Sequence, residues 1–186
     1  VRERHEPPEG VGYAAATHVY QGCGRYQATV VVTDDDGAAT IDHTIVHVTD
    51  LANGSFEQGF HQLAVGAVGN EWDPVGDGPF AADHSILRRG RASQAVAGRS
   101  EVAGIRQHIG ANPGWDYQVT AHCHAGGGAP NEVAVGVDPA GGDDPTAPTV
   151  EWRAATLGEA WHAVSTRANA TADRITVYVL NRSSHE

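Results

Sequence analysis

Tryptophan side chains are the groups of this sequence whose chemistry is easiest to interpret. Sugars have apolar C–H faces and many hydroxyl groups, so their binding sites combine an exposed aromatic ring with side chains that form hydrogen bonds. The candidate rings are Trp72, Trp115, Trp152 and Trp161, with Tyr117 and Tyr178 as weaker ones. We predict that Trp72, Trp115 and Trp152 contact a carbohydrate. The alternative for each ring is a place in the core, because the chain has only three phenylalanines.

Two other groups of residues have metal-binding chemistry. His122 and His124 flank Cys123, and alternate residues of a strand share a face, so the two imidazoles could bind a transition metal. Solvent-facing histidines are the favoured alternative. The segment DPAGGDDP, residues 138–145, could hold calcium, but its spacing is not that of an EF-hand and it is favoured as a turn. No nucleophile elbow, zinc-protease motif or phosphate loop occurs, and we predict no enzyme.

Composition restricts the partners. The chain has 186 residues, 23 of them glycine, and a formal net charge of −11. That charge argues against nucleic acid and anionic membrane surfaces, and is compatible with neutral sugars or cations. No apolar run is long enough to span a membrane. Cys23 and Cys123 are 100 residues apart, which leaves two possibilities open: two buried thiols, or one disulfide in an oxidising compartment.

Short apolar runs between turn residues predict an all-β protein. Alternation in YQATVVVT predicts a strand that buries Tyr26, Ala28, Val30 and Val32, followed by a turn over residues 33–37. The segment VTDLANGS separates this region from the rest, giving domains at 1–49 and 50–186. In the second we expect strands near 63–68, 92–97, 103–109, 116–125, 132–138, 148–154, 160–168 and 174–180.

The segment ATHVYQGCGRYQATVVVTDDDGA resembles the last part of a PKD (polycystic kidney disease) domain. That family has an immunoglobulin-like β-sandwich and is common on extracellular enzymes. The resemblance covers about 35 residues. It implies that residues 1–49 contribute partial PKD sandwich strands, which would expose apolar faces and open strand edges and would need a partner to cover them.

Five segments after Asn53 resemble the jelly-roll carbohydrate-binding modules that carry a structural calcium. They are NGSFEQGF, GAVGNEWDPVGDG, ASQAV, AGIRQHIGANPGWDYQVTAHC and ITVYVLN. The resemblance implies a β-sandwich jelly roll over residues 50–186. It also implies that Glu57 is a calcium ligand, assisted by the main chain near Asn53, and that the ion ties the entry strand to the sandwich.

These resemblances imply a non-catalytic carbohydrate-binding module of a secreted or cell-surface protein, preceded by the end of a PKD-like domain. Its partner would be a polysaccharide or glycan, and its location extracellular or at the cell surface. The alternative is a structural or adhesive β-sandwich subunit of an extracellular filament or surface layer. In that case the partners would be other copies of the chain or neighbouring domains, joined by strand addition.

Overall fold

The computed structural model describes residues 24–48, 51–97, 102–126 and 131–182. All regular secondary structure in these ranges is β-strand, which confirms the predicted all-β class. The strands are β1 (Gly24–Thr33), β2 (Ala39–Val48), β3 (Phe60–Leu63), β4 (Gly66–Gly69), β5 (Asp73–Val75), β6 (Phe80–Asp83), β7 (Ser93–Val96), β8 (Ala103–Gly110), β9 (Asp116–Cys123), β10 (Asn131–Asp138), β11 (Glu151–Leu157), β12 (His162–Asn169) and β13 (Arg174–Asn181). Among the described residues there is no helix with the length and apolar character needed to cross a membrane.

The chain divides into two compact units, Val1–Asp50 and Leu51–Glu186. The described part of the first unit is an antiparallel hairpin of β1 and β2. Its turn closes as the sequence predicts: the Asp34 carboxylate accepts a hydrogen bond from the Ala38 N–H at 2.7 Å, and Gly37 has a φ of 84°. Glycine suits that position because a side chain there would be strained.

The burial of the hairpin differs from the prediction. Tyr26 and Ala28 are half-buried, but Val30 and Val32 on the same strand face are 57% and 63% exposed. Val31 and Ile41 on the other face, which are cross-strand partners, are also more than half exposed. Alternation therefore identified the strand correctly but not the covered face, because a two-stranded hairpin has no second layer of its own to bury either face.

The described residues of the second unit form three sheets. The five-stranded sheet has the order β11-β10-β13-β8-β5, the four-stranded sheet the order β3-β4-β6-β7, and the two-stranded sheet pairs β12 with β9. Most of the predicted strands occur within a few residues of their expected bounds. The segment 63–68 instead contains the end of β3, a turn at residues 64–65 and most of β4, and the short strands β5 and β6 were not predicted. Strands of three or four residues are too short for alternation to reveal them.

Both smaller sheets pack on one face of the five-stranded sheet. One core cluster joins Val135 and Val177 of the five-stranded sheet to Val119 and Val164 of the two-stranded sheet. A second cluster joins Ile105 of β8 to Val68 and Phe80 of the four-stranded sheet. The result is a β-sandwich in which one layer is a single sheet and the other layer is made of two sheets side by side.

The outer face of the five-stranded sheet is covered by the chain's own loop, residues 139–150. Tyr178 is fully buried under this loop, and its hydroxyl donates a hydrogen bond to the Gly142 carbonyl at 2.8 Å. Arg106 donates to the Asp143 carbonyl at 2.7 Å and forms an ion pair with the Asp143 carboxylate at 3.0 Å. The loop is anchored at its start by Asp138, whose carboxylate accepts N–H groups of Ala140 and Gly142. These contacts give the segment 138–145 a structural role as a turn.

Candidate functional site

Asn53 is a buried hub of main-chain hydrogen bonds. Its side chain is 1% exposed; the amide nitrogen donates to the carbonyls of Gly59 and Asn70, and the amide oxygen accepts the Gln58 N–H at 2.9 Å. Its φ is 47°, a left-handed conformation that asparagine adopts more readily than most residues. Asn53 therefore holds the entry segment of the second unit in place by hydrogen bonding.

The structure corrects the prediction for Trp72. This ring is 3% exposed and packs in the second core cluster, with its centroid 5.9 Å from that of Phe56. Its indole N–H donates to the Asn53 carbonyl at 3.3 Å. A ring enclosed on all sides has no face on which a sugar can stack, so Trp72 is a core residue that supports the entry segment.

Glu57 is exposed and its carboxylate faces the main chain of a distant loop. One oxygen, Oε1, accepts hydrogen bonds from the N–H groups of Arg91 at 2.8 Å and Ala92 at 3.1 Å. These bonds are the main reason why the pKa of Glu57 lies below its usual value. A side chain at Gly90, whose φ is 78°, would clash with the same carboxylate. Glu57 thus fixes the loop between β6 and β7.

A calcium ion fits only part of this arrangement. Both oxygens of Asn53 accept N–H groups, since its carbonyl also accepts the Phe56 N–H at 3.0 Å, so neither is oriented to bind a cation. One oxygen of Glu57 likewise accepts main-chain N–H groups, those of Arg91 and Ala92. The described residues contain no group of three or more acidic, histidine or cysteine side chains with metal-binding geometry. Of the predicted calcium ligands, only the second oxygen of Glu57 is left to bind the ion. Calcium binding there stays a prediction, with main-chain carbonyls as the other ligands.

The other two predicted sugar contacts lie on different elements from each other and from Trp72. Trp115 is 38% exposed in the turn before β9. Trp152 is half-buried on β11, where it packs over Gly136, and the guanidinium group of Arg182 lies 4.4 Å from its ring centroid. That cation–π contact occupies the Trp152 ring. The three tryptophans chosen from the sequence are therefore not brought together into one site, and sugar contact by Trp115 and Trp152 stays a prediction.

A cleft of about 430 Å³ opens between the four-stranded and two-stranded sheets. Its floor is the five-stranded sheet, which contributes Ile105, Val133 and Val179. One wall is β7 with the end of β6, and the other is the segment 122–126 that ends β9. The cleft exists because the second layer is split, so apolar side chains of the first layer are reached from outside between the two small sheets.

Aromatic and polar groups lie together in this cleft. The rings of Trp161 and His124 are tilted against each other at a centroid distance of 5.5 Å, and both residues are half-buried. The polar lining side chains come from four different strands: Asp83, Gln94, Asn131 and Asn181. An apolar concave surface with an aromatic ring and a few polar groups is the usual construction of a small-molecule or sugar site.

Two titratable groups of the cleft are kept neutral. Burial raises the pKa of the Cys123 thiol to about 11, so Cys123 is a protonated core residue rather than a nucleophile. Cys123 is a free thiol in the structure, and Cys23 lies outside the described residues, so pairing of the two is not tested. Partial burial, together with the charges of Arg88 and Arg89, lowers the pKa of His122. The structure places His122 exposed on β9 and His124 just beyond its end.

A second cavity, of about 680 Å³, lies along the other end of β9 and β12. Its polar side chains are bonded to one another: Asn169 donates to Asp116 at 3.0 Å, and Arg167 donates to Gln118 at 3.1 Å. Its one aromatic ring is Tyr117, whose hydroxyl accepts the Asn112 N–H. The larger cavity offers a single aromatic ring, whereas the smaller cleft has the Trp161–His124 pair above the apolar side chains of Ile105, Val133 and Val179, which makes the cleft the better candidate site. The polar groups do not separate the two, because the Gln94 and Asn181 side chains of the cleft are also bonded to the main chain.

Trp161 is one of the four candidate rings in the sequence but is not among the three tryptophans predicted to contact a carbohydrate. It lies in the segment LGEAWH between β11 and β12, where Gly158 and the polar Glu159 indicate a turn. The predicted strand 160–168 contains Trp161, but β12 begins at His162, so the ring lies in the turn before the strand. The cleft itself had no sequence signal, because it depends on two sheets failing to join, which is a long-range property of the fold.

A comparison with solved structures finds distant structural similarity. The chain matches no family model and no curated protein. A solved structure described as concerning the promiscuous specificity of carbohydrate-binding modules from the beta-sandwich superfamily has a TM-score of 0.45 and 16% sequence identity. The match covers 90% of this chain and 70% of that chain. Similarity at this level does not establish a common family or function.

Proposed function

We propose that the second unit binds a glycan in the cleft between the four-stranded and two-stranded sheets. The observation that carries this proposal is the placement of Trp161 beside His124 above an apolar floor in a cleft of about 430 Å³. That volume lies in the range that binding pockets for small molecules have. A sugar ring can stack one C–H face on an indole while its hydroxyl groups meet polar side chains at the walls.

The mechanism is binding alone. The cleft contains a neutral buried thiol and a histidine whose pKa is lowered, and Asp83 is the carboxylate that lines it. The Asp83 Oδ1 atom accepts hydrogen bonds from the Ser85 N–H, the Ser85 hydroxyl and the Ile86 N–H, which lower its pKa. Asp83 thus acts as the cap of a turn. A non-catalytic module of an extracellular or cell-surface protein is consistent with these roles.

The test is a binding measurement on single tryptophan variants. Wild type, Trp161→Ala and Trp115→Ala are compared on a glycan array and then by affinity electrophoresis in the soluble polysaccharides that bind. Trp161→Ala should weaken binding by about tenfold or more, the usual effect of removing a central aromatic contact. Trp115→Ala removes an equally large ring that is 38% exposed and lies roughly 20 Å away along β9, so binding should not change.

Either of two results would contradict the cleft as the site. If Trp115→Ala abolishes binding and Trp161→Ala does not, the residue selected from the sequence is the correct one. If wild type binds no glycan on a broad array, the carbohydrate assignment itself is wrong. Circular dichroism on all three proteins is needed as a control, because Trp161 is half-buried and its removal has to be shown to leave the fold intact.

The hairpin favours a second candidate, a structural or adhesive role. Val31 and Ile41 are cross-strand partners on one face of the hairpin, and both are more than half exposed. Neighbouring exposed apolar side chains of this kind commonly mark a protein contact. If the chain assembles through this surface, Val31→Thr with Ile41→Thr should shift the elution of the wild-type protein towards monomer in size-exclusion chromatography. Unchanged elution of both proteins as monomers would count against this candidate.

A further inference from the structure

The loop between β6 and β7 concentrates positive charge in an acidic protein. Twelve arginines supply all of the cationic side chains, against 23 acidic residues, and three of the arginines fall at positions 88, 89 and 91. All three are exposed. A local positive surface in a chain of net charge −11 is not explained by solubility, which the overall acidic charge already provides.

Arg88 and Arg89 differ from several other arginines of the same unit in having no internal partner, whereas the charge of Arg91 acts on the Glu57 carboxylate. Arg106 is ion-paired to Asp143, Arg167 donates to Gln118, and Arg174 donates to the Gly141 carbonyl. Within the described ranges, no hydrogen bond or ion pair involves the guanidinium groups of Arg88 or Arg89. Their five N–H donors each are consequently available to a ligand.

The loop that carries the arginines is held in a defined conformation. Asp83 caps its first turn, as described above, and Ser93 Oγ donates to the Ile86 carbonyl at 2.8 Å. The His84 ring is 2.8 Å from the Arg91 carbonyl, and Glu57 accepts the Arg91 and Ala92 N–H groups from the other side. The two carboxylates beside the loop, Glu57 and Asp83, are therefore engaged with its main chain. A loop anchored at this many points presents its side chains at low entropic cost to binding.

The arginine loop lies at the mouth of the cleft. It joins β6 and β7, and both strands line the cleft together with Ile86 of the loop itself. On the facing wall, the charges of Arg88 and Arg89 reach His122 strongly enough to lower its pKa. A ligand stacked on Trp161 in the cleft would thus extend towards the unpaired guanidinium groups of Arg88 and Arg89. Carboxylate groups are the natural complement of such a surface, because guanidinium binds them through paired hydrogen bonds.

We infer that the glycan bound in the cleft is an acidic polysaccharide whose uronate carboxylates are held by Arg88 and Arg89. This inference rests on the proposed function and specifies its ligand class: the cleft and Trp161 bind the sugar ring, and the arginine loop selects for the negative charge. The arginines also lie outside the cleft floor, so they act at the entrance, where successive uronate residues of a chain would pass. Neutral glycans of the same linkage lack the group that the loop recognises.

The test compares acidic polysaccharides with their neutral counterparts. Polygalacturonate, alginate and hyaluronan are each used intact and after chemical reduction of their carboxyl groups, which keeps the backbone and removes the charge. Wild type should bind at least one intact polymer about tenfold or more tightly than its reduced form, as expected for loss of charge-assisted hydrogen bonds. Binding should also weaken as salt is raised.

Arginine variants locate the effect. Arg88→Gln combined with Arg89→Gln should weaken binding to the intact polymer by about tenfold and should not affect binding to the reduced form. The control is Arg153→Gln combined with Arg167→Gln, which removes the same number of exposed charges from β11 and β12, outside the cleft. This control should bind within about twofold of wild type, since distant charges act only through the screened general field.

The outcomes separate this inference from the proposed function. Equal binding of intact and reduced polymers, with loss in Trp161→Ala and none in the double arginine variant, overturns the inference and keeps the glycan site. Equal binding of dextran sulfate, DNA and polyuronates that does not depend on Trp161 overturns both, because it indicates simple ion exchange. No binding to any polymer, intact or reduced, also overturns both.

Discussion

The amide side chains around Asn53 are hydrogen-bonded to the main chain, whereas the guanidinium groups around Arg89 are not, within the described residues. Asn53, Gln94 and Gln107 are turned inwards, and their donors and acceptors are matched to main-chain groups; Gln107, for example, donates to the carbonyls of Ala52 and Glu71 at 2.8 Å each. Arg88 and Arg89 are turned outwards with no such partners in the described chain. Matched buried groups stabilise the fold, whereas unmatched exposed ones leave binding capacity for another molecule.

Glu57 connects the two regions. It lies four residues after Asn53, inside the entry segment, and its carboxylate holds the main chain of the arginine loop. The tie that the sequence assigned to a calcium ion is therefore made at least in part by direct hydrogen bonds. A polar residue in a motif-like segment can thus hold the fold together, while the guanidinium groups without partners lie in a less distinctive loop.

The largest effect is expected at Asn53. Asn53→Ala removes three side-chain hydrogen bonds from a residue that is 1% exposed and places a less tolerant residue at a φ of 47°. We expect a loss of roughly 3 kcal/mol in the free energy of unfolding, measured by urea denaturation. Asn53→Gly keeps the backbone freedom and should lose somewhat less. A loss below about 1 kcal/mol in both variants would mean that the entry segment is held by something else.

The second prediction compares two arginines. Arg106 is partly buried and bonded to both the main chain and the carboxylate of Asp143, so Arg106→Ala should lower the free energy of unfolding by about 2 kcal/mol. Arg88→Ala should change it by less than about 0.5 kcal/mol, as is usual for an exposed residue without partners. Urea denaturation measures both. Similar losses in the two variants would contradict the view that Arg88 is free for a ligand.

The sequence predicted the fold class and most of the longer strands because eight-residue strands that face a core on one side alternate clearly. In β9, for example, Val119 and Cys123 are buried whereas Gln118, Thr120 and His122 are exposed, as the pattern requires. The short strands carried no such pattern. The segments that support the resemblance contain Asn53, Trp72, Gln94 and Gln107, which are core or hub residues, so they report on the fold and not on the ligand.

The candidate site could not be predicted in the same way. Its residues come from β6, β7, the end of β9 and the turn before β12, and they meet only after two sheets have packed side by side on a third. The run LRRGR was visible in the sequence but had no assigned role. Whether its arginines are free to bind a ligand depends on which neighbours pair with them in the fold. Arginine pairing is a tertiary property, and no local pattern distinguishes Arg88 from Arg106.

The third prediction concerns Glu57 and its effect on the arginine loop. Glu57→Ala removes the oxygen that accepts the Arg91 and Ala92 N–H groups, so the loop should open more often and trypsin should cleave after Arg88, Arg89 and Arg91 faster than in wild type. Because the folded pKa is depressed below the ordinary 4.5, the contribution of Glu57 to stability is present above that value and is lost as the pH falls through the folded pKa. Equal cleavage rates in the two proteins would contradict the anchoring role.

Calcium can be tested on the same pair of proteins. If the second oxygen of Glu57 is a ligand, millimolar calcium should raise the melting temperature of wild type, and the shift should be smaller in Glu57→Ala. A chelator should reverse the shift. If neither calcium nor chelator changes the melting temperature or the cleavage rate of wild type, the hydrogen bonds from the Arg91 and Ala92 N–H groups alone hold the arginine loop to Glu57.

The smallest effect is a change in the titration of His122, which reports directly on where the arginine loop lies. Partial burial is the main cause of its lowered pKa, and the charges of Arg88 and Arg89 add to it. In Arg88→Gln combined with Arg89→Gln, the pKa of His122, measured by NMR, should rise towards the ordinary 6.5 without reaching it, because burial remains. An added polyuronate should raise the pKa in wild type, since an anion at the cleft mouth stabilises the protonated ring. If the pKa is the same in both proteins, the guanidinium groups are not near the cleft, and the contrast between paired and unpaired arginines says nothing about a ligand.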